Sequence, residues 1–208
     1  MTIKVFSVAQ MVAAEKAADA AGVTYDQMME TAGRLVAQAI LERYPVEGAS
    51  VLVLVGPGNN GGDGLVAGRY LAEAGADVAF YLFKSRDPEK DANFARIQQM
   101  GLFNVEAGFD QRFRVLRTRL NVTDLVIDAL LGTGVSRPIE GNLARLMQQA
   151  KSGIDERRTF LAEEKRSNLV SIARINKGAP EQQSSCTPAL PLPIVAVDCP
   201  SGMNTDTG

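Results

Sequence analysis

The chain has 208 residues, 46% of them hydrophobic and 22% charged, an ordinary globular composition long enough to bury one sizeable core without disulfides or structural metal. A formal charge of -2 argues against the concentrated basic surface of a nucleic-acid binder, so no nucleic-acid partner is expected. The sequence contains no histidine, which removes Ser-His triads, imidazole acid-base catalysis and His-rich metal sites and leaves proton transfer to carboxylate, Lys, Tyr, Cys or water. Cys186 and Cys199 form neither a CxxC pair nor a disulfide framework. The amino terminus has no long apolar run and no segment approaches the about 20 apolar residues of a membrane span, so a cytoplasmic protein without membrane contact is expected.

Taken in chain order, Ser7 reads as the N-cap of an alanine-rich helix that runs to Ala21 and is ended by Gly22. A second helix is predicted from Tyr25 to Tyr44. An alternating rhythm follows: strand Val51 to Val55, helix Gly64 to Ala74, strand Asp77 to Phe83, helix Glu89 to Met100, a short strand near Asn104, and helix Gln111 to Leu120. Two more apolar runs, Asp124 to Leu131 and Pro193 to Val197, read as further parallel strands. This order predicts an α/β fold, a Rossmann-like three-layer α/β/α sandwich with a mainly parallel sheet and an N-terminal helical extension. Lys151 to Leu192, charged at first and then rich in Pro, Ser and Gln, reads as an insertion tolerated between a helix and the last strand.

The stretch VLVLVGPGNNGGDGL, Val51 to Leu65, breaks from a buried strand into a glycine-dense loop. Gly56, Gly58, Gly61, Gly62 and Gly64 are read as permitting positive φ and close approach of a ligand to the backbone. The helix behind them offers unpaired N–H groups and partial positive charge, so phosphate or pyrophosphate is the natural ligand, and Asn59, Asn60 and Asp63 add oxygen atoms. The order fits neither G-x-G-x-x-G nor a P-loop, which requires GK[ST]. DALLGTGVSRPIEG and DCPSGMNTDTG follow later strands and bring Asp128 and Asp198, read as buried carboxylates, to the same end of the sheet. A single such Asp is more simply a loop cap. Carboxylates in three equivalent loops point instead to one shared cleft outside the carboxyl ends of the strands.

Together with Gln10, Met11, Glu15 and the run Met28 to Gly33, these motifs resemble the NAD(P)H-hydrate epimerase family, also called the YjeF N-terminal domain, over most of the chain. The resemblance implies a single domain over residues 1–208. It also implies an isomerase that repairs hydrated NADH and NADPH by interconverting the R and S forms at carbon 6 of the ring. Asn59, Asn60, Gly61, Gly62 and Asp63 would contact the hydrated nucleotide, Gly132, Thr133, Gly134, Val135, Ser136, Arg137 and Pro138 would form a second wall, and Asp198 would also bind it. Asn60, Asp128 and Ser201 would hold one potassium ion, for which oxygen donors are suitable. Asp63 and Asp198 are the candidate acid and base, with neither role assigned to either residue. Cys199 is read as packing rather than as a nucleophile. A homodimer is implied, as is coupling to an ADP- or ATP-dependent dehydratase that family members often carry fused to them. The family continues with another strand and helix where this chain ends at Gly208, which implies a C-terminally shortened domain. The competing readings are a non-catalytic nucleotide-binding or interaction module of the same fold and, more weakly, a nicotinamide-dependent oxidoreductase.

Overall fold

The computed structural model describes residues 6–134, 138–175 and 192–203. Two helices come first, α1 (Val8–Ala20) and α2 (Tyr25–Leu41). The N-cap hydroxyls of Ser7 and Thr24 accept from the backbone N–H of Gln10 and Gln27, whose side chains reach back to accept from the cap N–H. Each reciprocal box satisfies two donors that a helix start otherwise leaves unpaired. Gly22, at φ +95°, ends α1 as the sequence predicts. On α2 the buried residues Gly33, Ala37 and Ile40 form one stripe, whereas α1 buries no residue fully.

Five strands follow: β1 (Ser50–Val55), β2 (Asp77–Leu82), β3 (Phe103–Glu106), β4 (Leu125–Ala129) and β5 (Ile194–Ala196). All pair in parallel, in the spatial order β3-β2-β1-β4-β5. They alternate with α3 (Asn59–Glu73), α4 (Ala92–Gln99), α5 (Arg114–Leu120) and α6 (Gly141–Ile175). Val51, Val53 and Val55 of β1 pack with Phe80 and Ile127 under Ile40 of α2, Leu65 of α3 and Ile97 of α4. Leu52, Leu54, Tyr81 and Val126 face the other way, against Leu116 of α5 and Leu146 and Ile154 of α6. Burial of both sheet faces explains the unbroken apolar runs, and the expected three-layer sandwich with its N-terminal helices is present. The chain winds outward from β1 to β3 and then crosses to β4, so β1 and β4 flank the topological switch point where open α/β sheets take ligands.

Several boundaries differ from the sequence reading. Helix α2 stops at Leu41, before the turn that carries Tyr44. Helix α4 starts at Ala92 because Asp91 Oδ1 accepts from the N–H groups of Asn93 (3.1 Å) and Phe94 (3.0 Å), capping it. The helix predicted from Gln111 is split: Arg112 and Phe113 hold left-handed φ of 57° and 56°, and α5 begins behind them, where Asp110 accepts from Val115 (3.0 Å) and Leu116 (3.1 Å). The segment read as an insertion, 151–192, is helical in its first part. Residues 151–175 continue α6, which buries Ile154 in the core. Arg157 donates to Thr123 O at 3.1 Å and Arg158 to Leu192 O at 3.1 Å, so the middle of α6 is fastened beside the starts of β4 and β5. Residues 176–191, which include Cys186, lie outside the described residues.

Candidate active site

Helix α3 begins at Asn59, five residues earlier than its predicted start at Gly64, so the glycine-dense loop is itself the first turn of the helix. Its five glycines all lack positive φ. Close packing requires four of them instead, Gly58 alone lying in open space: a Cβ on Gly56 would lie 1.8 Å from Leu130 O, on Gly61 2.2 Å from Gly56 O, on Gly62 2.4 Å from Met29 Sδ, and on Gly64 2.5 Å from Ala129 Cβ. The N-cap is Gly58, which supplies no side-chain acceptor, so the first N–H groups of α3 are left for a ligand. Asn60 sits in this turn at 7% exposure, and neither its Oδ1 nor its Nδ2 finds a partner among the described residues. A buried, unpaired carboxamide is costly unless a ligand completes it.

Asp128 lies on β4, paired with Leu54 of β1 and Ala196 of β5. Its carboxylate is half-buried and gathers the next loop: Ser201 Oγ donates to Oδ1 at 2.5 Å, Ser201 N–H to Oδ2 at 2.9 Å, and Leu130 N–H to Oδ1 at 3.3 Å. Ser201 Oγ in turn accepts from Leu131 N–H at 3.0 Å. Asp128 therefore binds the loop after β5 to the loop after β4. Asp198, expected to be buried, is exposed, because β5 ends at Ala196 and the chain turns sharply. Cys199 N–H reaches back to Val197 O at 2.8 Å, and Asp198 at the centre of that three-residue turn has φ +63°. A Cβ on Gly132 would meet Asp198 Oδ2 at 2.7 Å and Asn60 Cβ at 3.1 Å, so Gly132 is the gap across which the turn of α3 and the β5 loop face each other.

Electrostatics mark Asp63 in this group. Burial, with the charges of Asp198 and Glu15 added, pushes its carboxyl up from 3.8 to about 7. A carboxyl that titrates near neutrality is suited to donate and accept protons. Cys199 is buried, and burial plus the charges of Asp198 and Asp128 pushes its thiol up, which fits packing and opposes nucleophilic use. Behind the turn, Glu30 of α2 accepts from Arg69 at 2.5 Å, Tyr70 at 2.7 Å and Arg96 at 3.1 Å. Burial opposes its ionisation, but those hydrogen bonds and charges outweigh it and hold the carboxyl below the usual range.

Of the residues singled out from the sequence, Asn60 and Asp198 face each other across Gly132, the charge of Asp198 acts on Asp63, and Asp128 pairs with Ser201. Asn59 lies exposed at the start of α3, and Gly61 and Gly62 are buried in its first turn. Thr133, Gly134 and Pro138 lie in the loop after β4, whereas Val135, Ser136 and Arg137 lie outside the described residues. Glu15 was not predicted to have a role, although Val8, Glu15 and Ala18 are the half-buried stripe of α1 and a charged residue there was a readable signal. Arg86 was also missed, because an arginine in a polar loop reads as solvated. Its Nη2 donates to Gly56 O at 2.8 Å and Gly58 O at 2.7 Å.

Fold and sequence together define a doubly wound α/β protein whose loops after β1, β4 and β5 come together at its topological switch point, the place where open sheets of this class take ligands. The profile of the family described as YjeF-related protein N-terminus matches residues 25–208. The chain belongs to that family. It is 40% identical over 138 residues to the bifunctional NAD(P)H-hydrate repair enzyme Nnr of Thermofilum pendens, a match that covers 64% of this chain but only 26% of that protein. It is 29% identical over 209 residues to the NAD(P)H-hydrate epimerase of Limosilactobacillus fermentum, covering 100% of this chain and 79% of that one. The crystal structure of the yeast protein YNL200c superposes with a TM-score of 0.69 over 99% of this chain and 74% of the yeast chain, at 24% identity, and shares the fold.

Proposed function

We propose that this protein is an NAD(P)H-hydrate epimerase that interconverts the R and S forms of hydrated NADH and NADPH at carbon 6. The observation that carries the reading is the meeting of Asp63, pushed up to about 7, with Asp198 and the unpaired Asn60 carboxamide around Gly132. The first turn of α3 takes the pyrophosphate on its open N–H groups. Gly132, Thr133, Gly134 and Pro138 line the opposite side of the substrate cleft. The ring nitrogen lone pair expels the C6 hydroxyl while Asp63 gives that oxygen a proton, so the C–O bond breaks and water leaves. Water then adds to the opposite face of the cationic ring and gives its proton to Asp198. The two carboxyls exchange roles in the reverse direction, and proton exchange with solvent resets them. Their negative charge favours the cationic ring while it lasts.

Asn60, Asp128 and Ser201 would hold a potassium ion. The donors fit it: the buried Asn60 Oδ1 without a partner, a carboxylate and a hydroxyl are hard oxygen ligands. The ion would supply positive charge that orders the three loops. A homodimer is supported by α1, which buries nothing fully and, with the start of α2, exposes Met11, Val12, Val23 and Tyr25. The S product would pass to an ADP- or ATP-dependent dehydratase, and the name of the Thermofilum relative records two functions in one protein. Among the described residues no helix is long and apolar enough to cross a membrane. The buried free thiol of Cys199 supports action in the reducing cytoplasm.

The test starts from the epimer mixture of hydrated NADPH, cleared of the S form by a dehydratase. Conversion of the remaining R form is then followed with this chain, with and without potassium. The expected result is acceleration that potassium increases and Asp198→Asn abolishes. A folded sample that binds the nucleotide yet leaves the R form at its uncatalysed rate would overturn the reading and favour a binding module.

A further inference from the structure

The carbonyls of Gly56 and Gly58, on either side of Pro57, both point at one side chain. Arg86, from the loop after β2, places Nη2 2.8 Å from Gly56 O and 2.7 Å from Gly58 O, and its Nη1 pairs with Asp91. The other oxygen of Asp91 caps α4. The Arg86 side chain is 12% exposed, so the fork is held inside the protein. A Cβ on Gly61 would lie 2.2 Å from Gly56 O and 2.6 Å from Arg86 Nη2, so the glycine of α3 makes room for the guanidinium. In a planar trans peptide the C=O and the following N–H point in opposite directions. A Gly58 carbonyl turned towards Arg86 and the Gly62 N–H therefore turns the Asn59 N–H away from them, out of the N-terminal end of α3. Without the guanidinium Gly56 O would lose its side-chain partner and Gly58 O would keep only the long helical bond from Gly62 N–H, 3.4 Å, so the turn that enters α3 would be held less firmly.

We propose that Arg86 is a positioning residue that locks the GPGNN turn in its anion-binding conformation, acting through the Gly56 and Gly58 carbonyls with Asp91 as its anchor. This rests on the reading that the turn grips the substrate pyrophosphate. Asp91 balances the guanidinium charge, so orientation of the N–H groups is the larger effect. The lock joins the N-cap of α4 to the N-terminus of α3, and the turn is then organised before ligand arrives, which lowers the ordering cost of binding.

The test compares wild type with Arg86→Ala, Arg86→Lys and Asp91→Asn. ADP-ribose, which carries the pyrophosphate without the reacting ring, is titrated by calorimetry, and KM and kcat are measured on hydrated NADPH. Arg86→Ala is expected to raise both the Kd for ADP-ribose and KM at least tenfold, with kcat within threefold of wild type. Arg86→Lys, which keeps a donor for one carbonyl, should recover part of the loss. Asp91→Asn keeps a good helix cap, loosens only the anchor and should give a smaller rise. Unchanged Kd and KM in folded Arg86→Ala, with only a lower Tm, would overturn the proposal and leave Arg86 a structural strut. A fall in kcat alone would overturn it too. Should wild type bind ADP-ribose but turn over no substrate, the epimerase reading fails while the Kd series still decides the role of Arg86. Should wild type bind no ADP-ribose, the lock falls together with the anion-binding turn.

Discussion

Asp198 holds φ +63°, a conformation that costs most residues strain but that Asp and Asn tolerate better than others. Asp198→Asn therefore tests the carboxylate alone, whereas Asp198→Ala changes backbone preference as well. Turnover by Asp198→Asn should fall about 10²-fold or more with Tm within about 2 °C of wild type, read by the epimer assay and a thermal melt. Near-normal turnover would remove Asp198 from the chemistry. Asp63 gives the pH dependence. Its carboxyl titrates at about 7 in the fold and near 3.8 when free, so between those values the folded chain holds more protons than the unfolded one. Stability should decline as pH rises through that window and level off above it. Asp63→Asn should remove the slope and raise Tm at pH 8 by a few degrees relative to wild type while abolishing turnover. A melt series from pH 5 to 8, run on both, checks the sign. The same residue predicts that kcat/KM loses activity above about pH 7, as the general acid ionises.

The first turn of α3 shows what kind of glycine requirement is at work. Because the obstruction at Gly56 is backbone, the Leu130 carbonyl at 1.8 Å, while at Gly62 it is the flexible end of Met29, Gly56→Ala should cost clearly more than Gly62→Ala. Expected losses are about 3 kcal/mol or more against about 1 kcal/mol, measured by urea unfolding. Equal losses would mean that the cost is conformational rather than steric. From sequence, the strand-glycine-helix order was legible because a buried parallel strand leaves a continuous apolar run, Val51 to Val55, that nothing else in a small domain resembles. The reason for the glycines was not legible, since close approach and positive φ select the same residue. Asp128 and Asp198 were legible as carboxylates at strand ends, but the exposure of Asp198 depends on where β5 stops, which the run Pro193 to Val197 does not encode. Residues 151–164 misled for a related reason: charges on the outer face of a long helix mask the few positions, such as Ile154, that reach the core. Arg86 was hidden because its partners are backbone carbonyls, which leave no trace in side-chain patterns.

For the whole molecule, the unburied α1 carries the prediction about assembly. Sedimentation should give a dimer at micromolar concentration, and Val12→Glu, placed on an exposed part of α1, should give monomers that keep the fold. A monomeric wild type would show that the exposed apolar residues of α1 serve another purpose. The sheet order carries a different consequence. β1, at the centre, is the first strand made, and β2 and β3 extend it on one side from neighbouring stretches of chain. Asp198, whose charge acts on Asp63, and Ser201, the partner of Asp128, come from the other side and arrive with β5, a short strand that pairs with β4 at Ile194, Val195 and Ala196. A nascent chain can thus acquire most of its core, and the whole glycine turn, well before Asp198 and Ser201 have been synthesised. Juxtaposition of these side chains is deferred to the last described strand, so that it reports the pairing of β5 with β4.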